Sequence, residues 1–298
     1  MKYTCMSFNI LGCDDAGKDL YAPSEIRCEC IAKYLNGMKT DIVGIQEAGS
    51  HHRLYDWMTN LSSIITNDSF YSVAKMDDEE EFSKTTTTFE DKKVPLSAGL
   101  IILYRKDKFD LVERGAQRYS TDELQERYFQ WVHLCDKETA RDVFVTNTHW
   151  SVNWDSKGKV SPEAGAIHRT KQANELRTFW EEKVGNNILF ATGDYNCRQD
   201  SEWAILAESG VYKQAVNVGG KDWNLGDHID HIYINPGLTS VDDLRFLDCT
   251  LDTSTVKGRH TGLYFWYSKD KVYENINFNR MSDHNPLLLT VDVKEGNK

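Results

Sequence analysis

Short strand-like runs recur along the whole chain, at Tyr3–Ile10, Asp41–Gln46, Phe70–Lys75, Ala98–Arg105, Phe129–Cys135, Val143–His149, Ile188–Thr192, Ile229–Asn235 and Pro286–Val293. Most are β-branched or aromatic and close on Gly, Asn or Asp, as half-buried strands do. Only Ser24–Asn36, His51–Ser62, Glu163–Val184 and Ser201–Glu208 show the three-and-four spacing of an amphipathic helix. Strand pairs without a helix between them imply antiparallel neighbours, so the sheets are mixed, and so few helices can cover only outer faces. The expected fold class is α/β: a four-layer αββα sandwich of two packed mixed β-sheets with helices on the outer faces. No repeat and no Pro- or Ser-rich linker divides the chain, so a single domain is expected over residues 1–298.

Charge narrows the partners. With 35 Lys and Arg against 46 Asp and Glu, the net charge is −11. Bulk attraction to polyphosphate relies on clustered basic residues, so any phosphate partner must be held locally. Apolar runs such as Leu100–Tyr104 are far shorter than the roughly 18 residues that span a bilayer, so no stable membrane insertion is expected. Met1-Lys2-Tyr3 runs straight into a strand-like segment with no apolar signal core, which makes cytoplasmic residence the expected localisation. Seven cysteines, with Cys28 and Cys30 spaced only as CxC, read as reduced thiols rather than a zinc site. No obligate protein partner is implied.

Five segments place polar residues at or just beyond a strand end: Ser7-Phe8-Asn9, Ile45-Gln46-Glu47, Thr146-Asn147-Thr148-His149, Gly193-Asp194-Tyr195-Asn196 and Ser282-Asp283-His284. Strand ends in layered α/β folds open onto a rim where loops supply function, so five such ends can converge on one site. Each has a plainer alternative. Asn9 fits a turn, Glu47 a helix cap, His149 a sheet edge, and Gly193–Asn196 an Asx-rich turn.

Taken in order with Ile229-Asp230-His231-Ile232, these segments resemble the endonuclease/exonuclease/phosphatase superfamily, the fold of pancreatic-type deoxyribonuclease. The Gly-Asp-x-Asn turn and the C-terminal Ser-Asp-His carry the resemblance, which spans nearly the whole chain. It implies metal-dependent hydrolysis of phosphate esters. Mg²⁺ prefers oxygen ligands and few carboxylates, so Glu47 with Asn9 forms a plausible metal corner that Asp283 completes, with Mn²⁺ an alternative ion. By resemblance Asp194 deprotonates the attacking water and Asn196 fixes a phosphate oxygen or the water itself. The resemblance also implies that His149 and His284 flank the phosphate and that Asp230 hydrogen-bonds His284, raising its pKa and fixing its tautomer. His231, next in the strand, faces the other way and is expected to pack.

Three residues are candidate substrate contacts. Arg169 lies on the helix after His149, with an exposed salt bridge as its plainer reading; Trp150 stands directly after His149, with core packing as its alternative; and His260 lies in the aromatic-rich Thr250–Arg280 stretch, a candidate substrate rim. Asp77–Lys93, with its acidic run and four threonines, reads as a solvated loop.

Substrate is less legible. Gly193–Arg198 looks like the GDxNxR turn of inositol phosphatases, but their Pro-x-Trp-Cys-Asp-Arg segment is absent where Asp222–Gly226 stands. Apurinic-site enzymes carry a tyrosine where His149 sits. The reading is a Mg²⁺-dependent hydrolase of phosphate esters, a diester favoured over a monoester. The alternatives are a nuclease of the same superfamily, with nucleic acid as partner, and a non-catalytic binding protein on the same sandwich.

Overall fold

Alternation along the central strands sorts their side chains onto two faces, and each face finds a different partner. The computed structural model describes residues 1–12, 24–49, 57–68, 71–75, 86–89, 92–95, 99–121, 127–153, 159–197, 200–208, 210–218, 228–249, 267–268, 271–272 and 281–294. In chain order the elements are β1 (Lys2–Asn9), α1 (Ser24–Met38), β2 (Ile42–Gln46), α2 (Trp57–Asp68), β3 (Tyr71–Lys75), β4 (Thr86–Phe89), β5 (Lys92–Pro95), β6 (Ile101–Arg105), β7 (Phe109–Arg118), β8 (Tyr128–Asp136), β9 (Asp142–His149), α3 (Pro162–Phe179), β10 (Ile188–Asp194), α4 (Asp200–Ala207), β11 (Lys213–Gln214), β12 (Asp230–Ile234), β13 (Thr239–Phe246), β14 (Tyr267–Ser268), β15 (Lys271–Val272) and β16 (Leu287–Val293). A π-helical turn, Trp180–Val184, extends α3.

One six-stranded sheet runs β13-β16-β1-β2-β6-β3 and the other β11-β12-β10-β9-β8-β7. Each holds one parallel pair at its centre, β1–β2 and β9–β10, and is otherwise antiparallel. A helix joins each parallel pair, α1 in the first and α3 in the second, because a parallel return needs a crossover. Ser161 caps α3 by accepting from Ala164 N, and Pro162 stands in the first turn, where its missing N–H costs nothing.

Three hydrophobic cores separate four layers. Met6, Phe8, Val43 and Ile45 face Ile31, Leu35, Leu61 and Ile65 of α1 and α2. Tyr3, Cys5 and Ile42 face Val143, Val145, Ile188, Phe190, Ile232 and Ile234 between the sheets. Phe144, Leu189, Ala191 and Tyr233 face Ala173, Leu176 and Trp180 on the far side. Period-two alternation thus yields the αββα sandwich. Among the described residues the cysteines are free thiols, and no helix is long and apolar enough to cross a membrane.

Two long strands have no counterpart among the sequence runs, β7 and β13, and both are sheet edges with a register shift, at Leu111/Glu113 and Val241/Asp243. A bulge breaks the two-residue period, and an exposed edge needs no apolar face. The Asp77–Lys93 stretch, read as a loop, contains β4 and the start of β5, which pair as a hairpin. The helix expected at His51–Ser62 is described from Trp57 and runs on to Asp68; residues 51–56 lie outside the described residues.

At the end of the sandwich where β1, β2, β9 and β10 finish, the inward positions turn polar: Ser7 and Asn9, Gln46, Asn147 and His149, Thr192 and Asp194. Hydrogen bonds cross the gap. Gln46 Nε2 donates to Asn147 Oδ1 at 2.6 Å, Asn147 Nδ2 to the carbonyls of Ile45 and Ile101, and Gly193 N to Ser7 Oγ at 3.1 Å. Gly44 lets the sheets approach, since a Cβ there would sit 1.8 Å from Thr192 Oγ1. Gly44→Ala is therefore expected to destabilise the fold by about 1–3 kcal/mol in urea unfolding; an unchanged midpoint at unchanged m-value would show that the sheets have room there.

Candidate active site

Chain direction brings the polar ends together. The parallel pairs finish at one edge, and β12 and β16, antiparallel to β10 and β1, begin there. Register then places His149, Asp194 and Asp230 in one row across the second sheet, with Asp194 paired to both neighbours. Opposite them, Asn9 pairs with Gln46, and Glu47 follows directly. The Ser282–His284 turn leads into β16.

Asp194 is the focus. It is 2% exposed. Its Oδ1 accepts from Asn196 N at 2.9 Å and its Oδ2 from Asn9 Nδ2 at 3.0 Å, with His149 Nε2 at 3.5 Å and His284 Nε2 at 3.9 Å from the same oxygen. Asn9 Nδ2 also donates to Glu47 Oε1 at 2.9 Å, so one amide bridges two carboxylates from different sheets. Asn196 Nδ2 donates to the Trp150 carbonyl at 3.0 Å, which anchors its amide in the wall. Burial pushes the Asp194 carboxyl up to about 7; the charges of Asp230 and Glu47 add to this, while His284 and the Asn196 N–H oppose it.

His284 stands on Asp230, with Nδ1 to Oδ2 at 2.6 Å. Burial alone would lower the imidazole pKa, but the hydrogen bond and charge of Asp230 outweigh it and raise it to about 10. With Nδ1–H directed at Asp230, the charged ring turns Nε2–H toward Asp194. His231 lies on the other face, near the Tyr195 ring, and burial lowers it to about 4. It remains neutral packing.

Two site residues adopt left-handed backbone: Glu47 at φ 61° and Asn196 at φ 48°. Such non-glycine conformations cost about 1–3 kcal/mol each and persist where surroundings over-determine them. Around Glu47 the surroundings are backbone. Ala48 N donates to the Gly99 carbonyl, and a Cβ on Gly99 would lie 2.5 Å from Gly49 N, one on Gly12 1.6 Å from Glu47 O. Only glycine leaves space for that turn.

The donor atoms of Glu47, His149 and Asp194 lie within 4.8 Å of one another, as do those of Asp194, Asp230 and His284. Two carboxylates sharing a cleft suit a divalent cation, which would relieve their repulsion, so the residues present fit an oxygen-preferring metal. Two details differ from the sequence reading of that corner. Asn9 meets Glu47 but presents its nitrogen, because Oδ1 is taken by Leu11 N at 3.0 Å. Asp283 belongs to neither group and stands on the half-exposed rim, its Oδ1 3.9 Å from His284 Nε2.

The candidate substrate contacts fall elsewhere. Trp150 is fully buried, its indole N–H on Tyr119 OH and its ring edge-on to Tyr195, so it packs the core. Arg169 is also buried, not exposed: it pairs with Glu202 at 3.2 Å and donates to Ser151 O and Asn153 Oδ1, bracing the loop after His149. Burial of both follows from α3 lying flat on the second sheet. His260, Arg198 and Asp222–Gly226 lie outside the described residues, as does Thr250–Arg280 apart from β14 and β15. Gln46, Asn147 and Ser7 were given no role from sequence, yet they share inward parity with Asn9 and His149, the signal by which they can be found.

A family model described as Endonuclease/Exonuclease/phosphatase family matches residues 6–284. The chain is 24% identical to the CCR4-Not complex 3'-5'-exoribonuclease subunit Ccr4 of Candida albicans, over 99% of this chain and 42% of that protein. It thus spans less than half the length of that curated relative. Among solved structures, an endonuclease/exonuclease/phosphatase family protein from Bacteroides thetaiotaomicron superposes with a TM-score of 0.62 at 19% identity, covering 99% of each chain. A mannosyl-6-phosphatase of the same organism gives 0.59 at 19% identity over 98% of this chain and 100% of that one. At these identities the structural likeness is one of fold.

In Asp230→Asn the largest raising influence is lost and burial is opposed only by the charges of Asp194 and Asp283, so the NMR titration midpoint of His284 is expected to fall well below about 10. Because the folded-state value is raised, the stabilisation is fully present below pH 6.5 and lost as pH rises through about 10, so the variant loses most stability at mildly acidic pH. A midpoint that stays near 10 would mean that another group holds the proton.

Proposed function

The chain belongs to the Endonuclease/Exonuclease/phosphatase family of phosphoester hydrolases, and from that premise we propose that it is a divalent-metal-dependent phosphodiesterase, with Mg²⁺ as its cation and Mn²⁺ as a substitute. The observation that carries this reading is the convergence on Asp194: a buried carboxylate with two histidine Nε2 atoms, one bridging amide and a second carboxylate around it.

Glu47 is the metal ligand in this reading, with Asp194 across the same corner and Asn9 setting the spacing between them. A bound cation would withdraw electron density from a phosphoryl oxygen and stabilise the leaving oxygen. Asp194 takes the proton of an attacking water: burial raises its carboxyl, and a cation in the corner would draw it back toward the ionised form a base requires. Asn196 holds the Asp194 carboxylate through its backbone N–H and keeps its own amide beside the reacting phosphate. His284, charged through Asp230, donates from Nε2 to a non-bridging oxygen as negative charge builds there, and His149 does the same from the other side. Asp230 acts through His284 and touches no substrate.

A diester is favoured over a monoester because the curated relative is named an exoribonuclease. RNA is accordingly the first natural diester to test. At a net charge of −11, its grip would come from the cleft rather than from bulk attraction.

The test is hydrolysis of bis-p-nitrophenyl phosphate and p-nitrophenyl phosphate in parallel, with Mg²⁺, Mn²⁺ or EDTA. Diester cleavage is expected to vanish in EDTA and to fall about 10²–10⁴-fold in Asp194→Asn. Monoester turnover alone would replace the diesterase reading with a phosphatase. Equal activity in EDTA would remove the metal from the chemistry. Glu47→Gln is expected to weaken Mg²⁺ binding in calorimetry without lowering the melting temperature measured in EDTA; unchanged Mg²⁺ affinity would take Glu47 out of the metal corner.

A further inference from the structure

Arg27 on α1 is 1% exposed. Its guanidinium donates to three main-chain carbonyls, Ile10 at 2.9 Å, Leu11 at 2.8 Å and Met281 at 3.2 Å, and its Cζ lies 5.0 Å from the centre of the Trp57 ring on α2. Burying a cation is costly unless its donors are satisfied. What these bonds hold is the metal corner.

Leu11 adopts φ 50°, in the left-handed region where a residue with a Cβ loses about 1–2 kcal/mol. Its peptide groups are held on both sides. The Leu11 carbonyl accepts from Arg27, and the Leu11 N–H donates to Asn9 Oδ1 at 3.0 Å. That second bond decides which way the Asn9 amide points: with Oδ1 taken, Nδ2 faces Glu47 Oε1 and Asp194 Oδ2. The same guanidinium reaches Met281, 254 residues along the chain. Next to it Ser282 Oγ donates to the Asn9 carbonyl at 2.7 Å and accepts from His284 N at 3.2 Å. One cation therefore ties the end of β1 to the turn that carries His284.

We infer that Arg27 is a positioning residue for the metal and phosphate site: by clamping Ile10, Leu11 and Met281 it fixes the Asn9 amide between the two carboxylates and sets the His284 turn against it. The inference rests on the metal-dependent reading of the site. Nothing but a planar fork spans three carbonyls. A lysine keeps the charge but is a point donor on a flexible stem.

The experiment measures Mg²⁺ and Mn²⁺ affinity by calorimetry, and kcat and KM on bis-p-nitrophenyl phosphate, for the parent chain, Arg27→Ala, Arg27→Lys and Trp57→Phe, each below its own melting temperature. Both Arg27 variants are expected to bind Mg²⁺ roughly 10–100-fold more weakly, the scale seen when partners behind a metal ligand are lost. Their kcat falls while KM changes little. Millimolar guanidinium added to Arg27→Ala restores binding and turnover, and ammonium does not. Trp57→Phe, which keeps the carbonyl bonds, lowers only the melting temperature. A purely structural arginine predicts the reverse, and a folded Arg27 variant with parental Mg²⁺ affinity and kcat overturns the inference. Where Arg27→Ala fails to fold, Arg27→Lys carries the same readouts. A parent chain that binds neither metal overturns the metal reading and this inference together, whereas equal binding by parent and variant overturns the inference alone.

Discussion

Placing carboxylates between two stacked sheets requires that the polar groups beneath them find hydrogen-bond partners, within a sheet or across the gap. An unsatisfied buried group costs about 1–3 kcal/mol, enough for two or three to undo a marginally stable fold. The seam supplies most of those partners: Gln46 bonds to Asn147 and Gly193 to Ser7 across the gap, Thr192 bonds to Asn147 within its own sheet, and Gln46 Oε1 is left buried without a partner. It also fixes register. A slip by one residue in β2 or β9 would carry Gln46 or Asn147 to the helix-covered face, where neither has its partner, and send Ile45 or Thr148 into the seam.

Along each inward face, then, apolar residues hold the sheets together at one end and hydrogen bonds do so at the other. The apolar end resists water, so the sheets cannot part there; the polar end presents ordered donors and acceptors to a cleft without collapsing on itself. The site is the last layer of this gradient. Asn9, His149 and Asp194 occupy the inward position next after Ser7, Asn147 and Thr192 on the same strands, so the bonded seam supports the site from below.

Electrostatics at the rim follows from this placement. Glu47, Asp194 and Asp230 are brought close by strand direction rather than by attraction, and the cleft offsets their repulsion with the Asn9 amide, the charged His284 and the Asn196 N–H. Strained backbone at Leu11, Glu47 and Asn196 marks where this balance is held by force. Each of those turns is braced from outside the cleft: Leu11 by Arg27, Glu47 by the glycine backbone at Gly12 and Gly99, and Asn196 through the Trp150 carbonyl. Arg169 and Gln172 in turn secure the loop behind Trp150 through Ser151.

Local features were legible in the amino-acid sequence because local physics writes them. Two-residue alternation gave the central strands and put Asp230 and His231 on opposite faces; polar residues at strand ends marked Asn9, Glu47, His149, Asp194 and His284 as one candidate set. Edge strands β7 and β13 escaped because bulges break the period and exposed faces leave no apolar signature. Arg169 and Trp150 looked available to a substrate because a helix or loop position does not say what packs over it. The side of the Asn9 amide that meets Glu47, and the arginine that joins residue 10 to residue 281, were decided by tertiary structure alone. Periodicity depends on neighbours a few residues apart, whereas the orientation of a buried polar group depends on partners brought near only when the chain has folded.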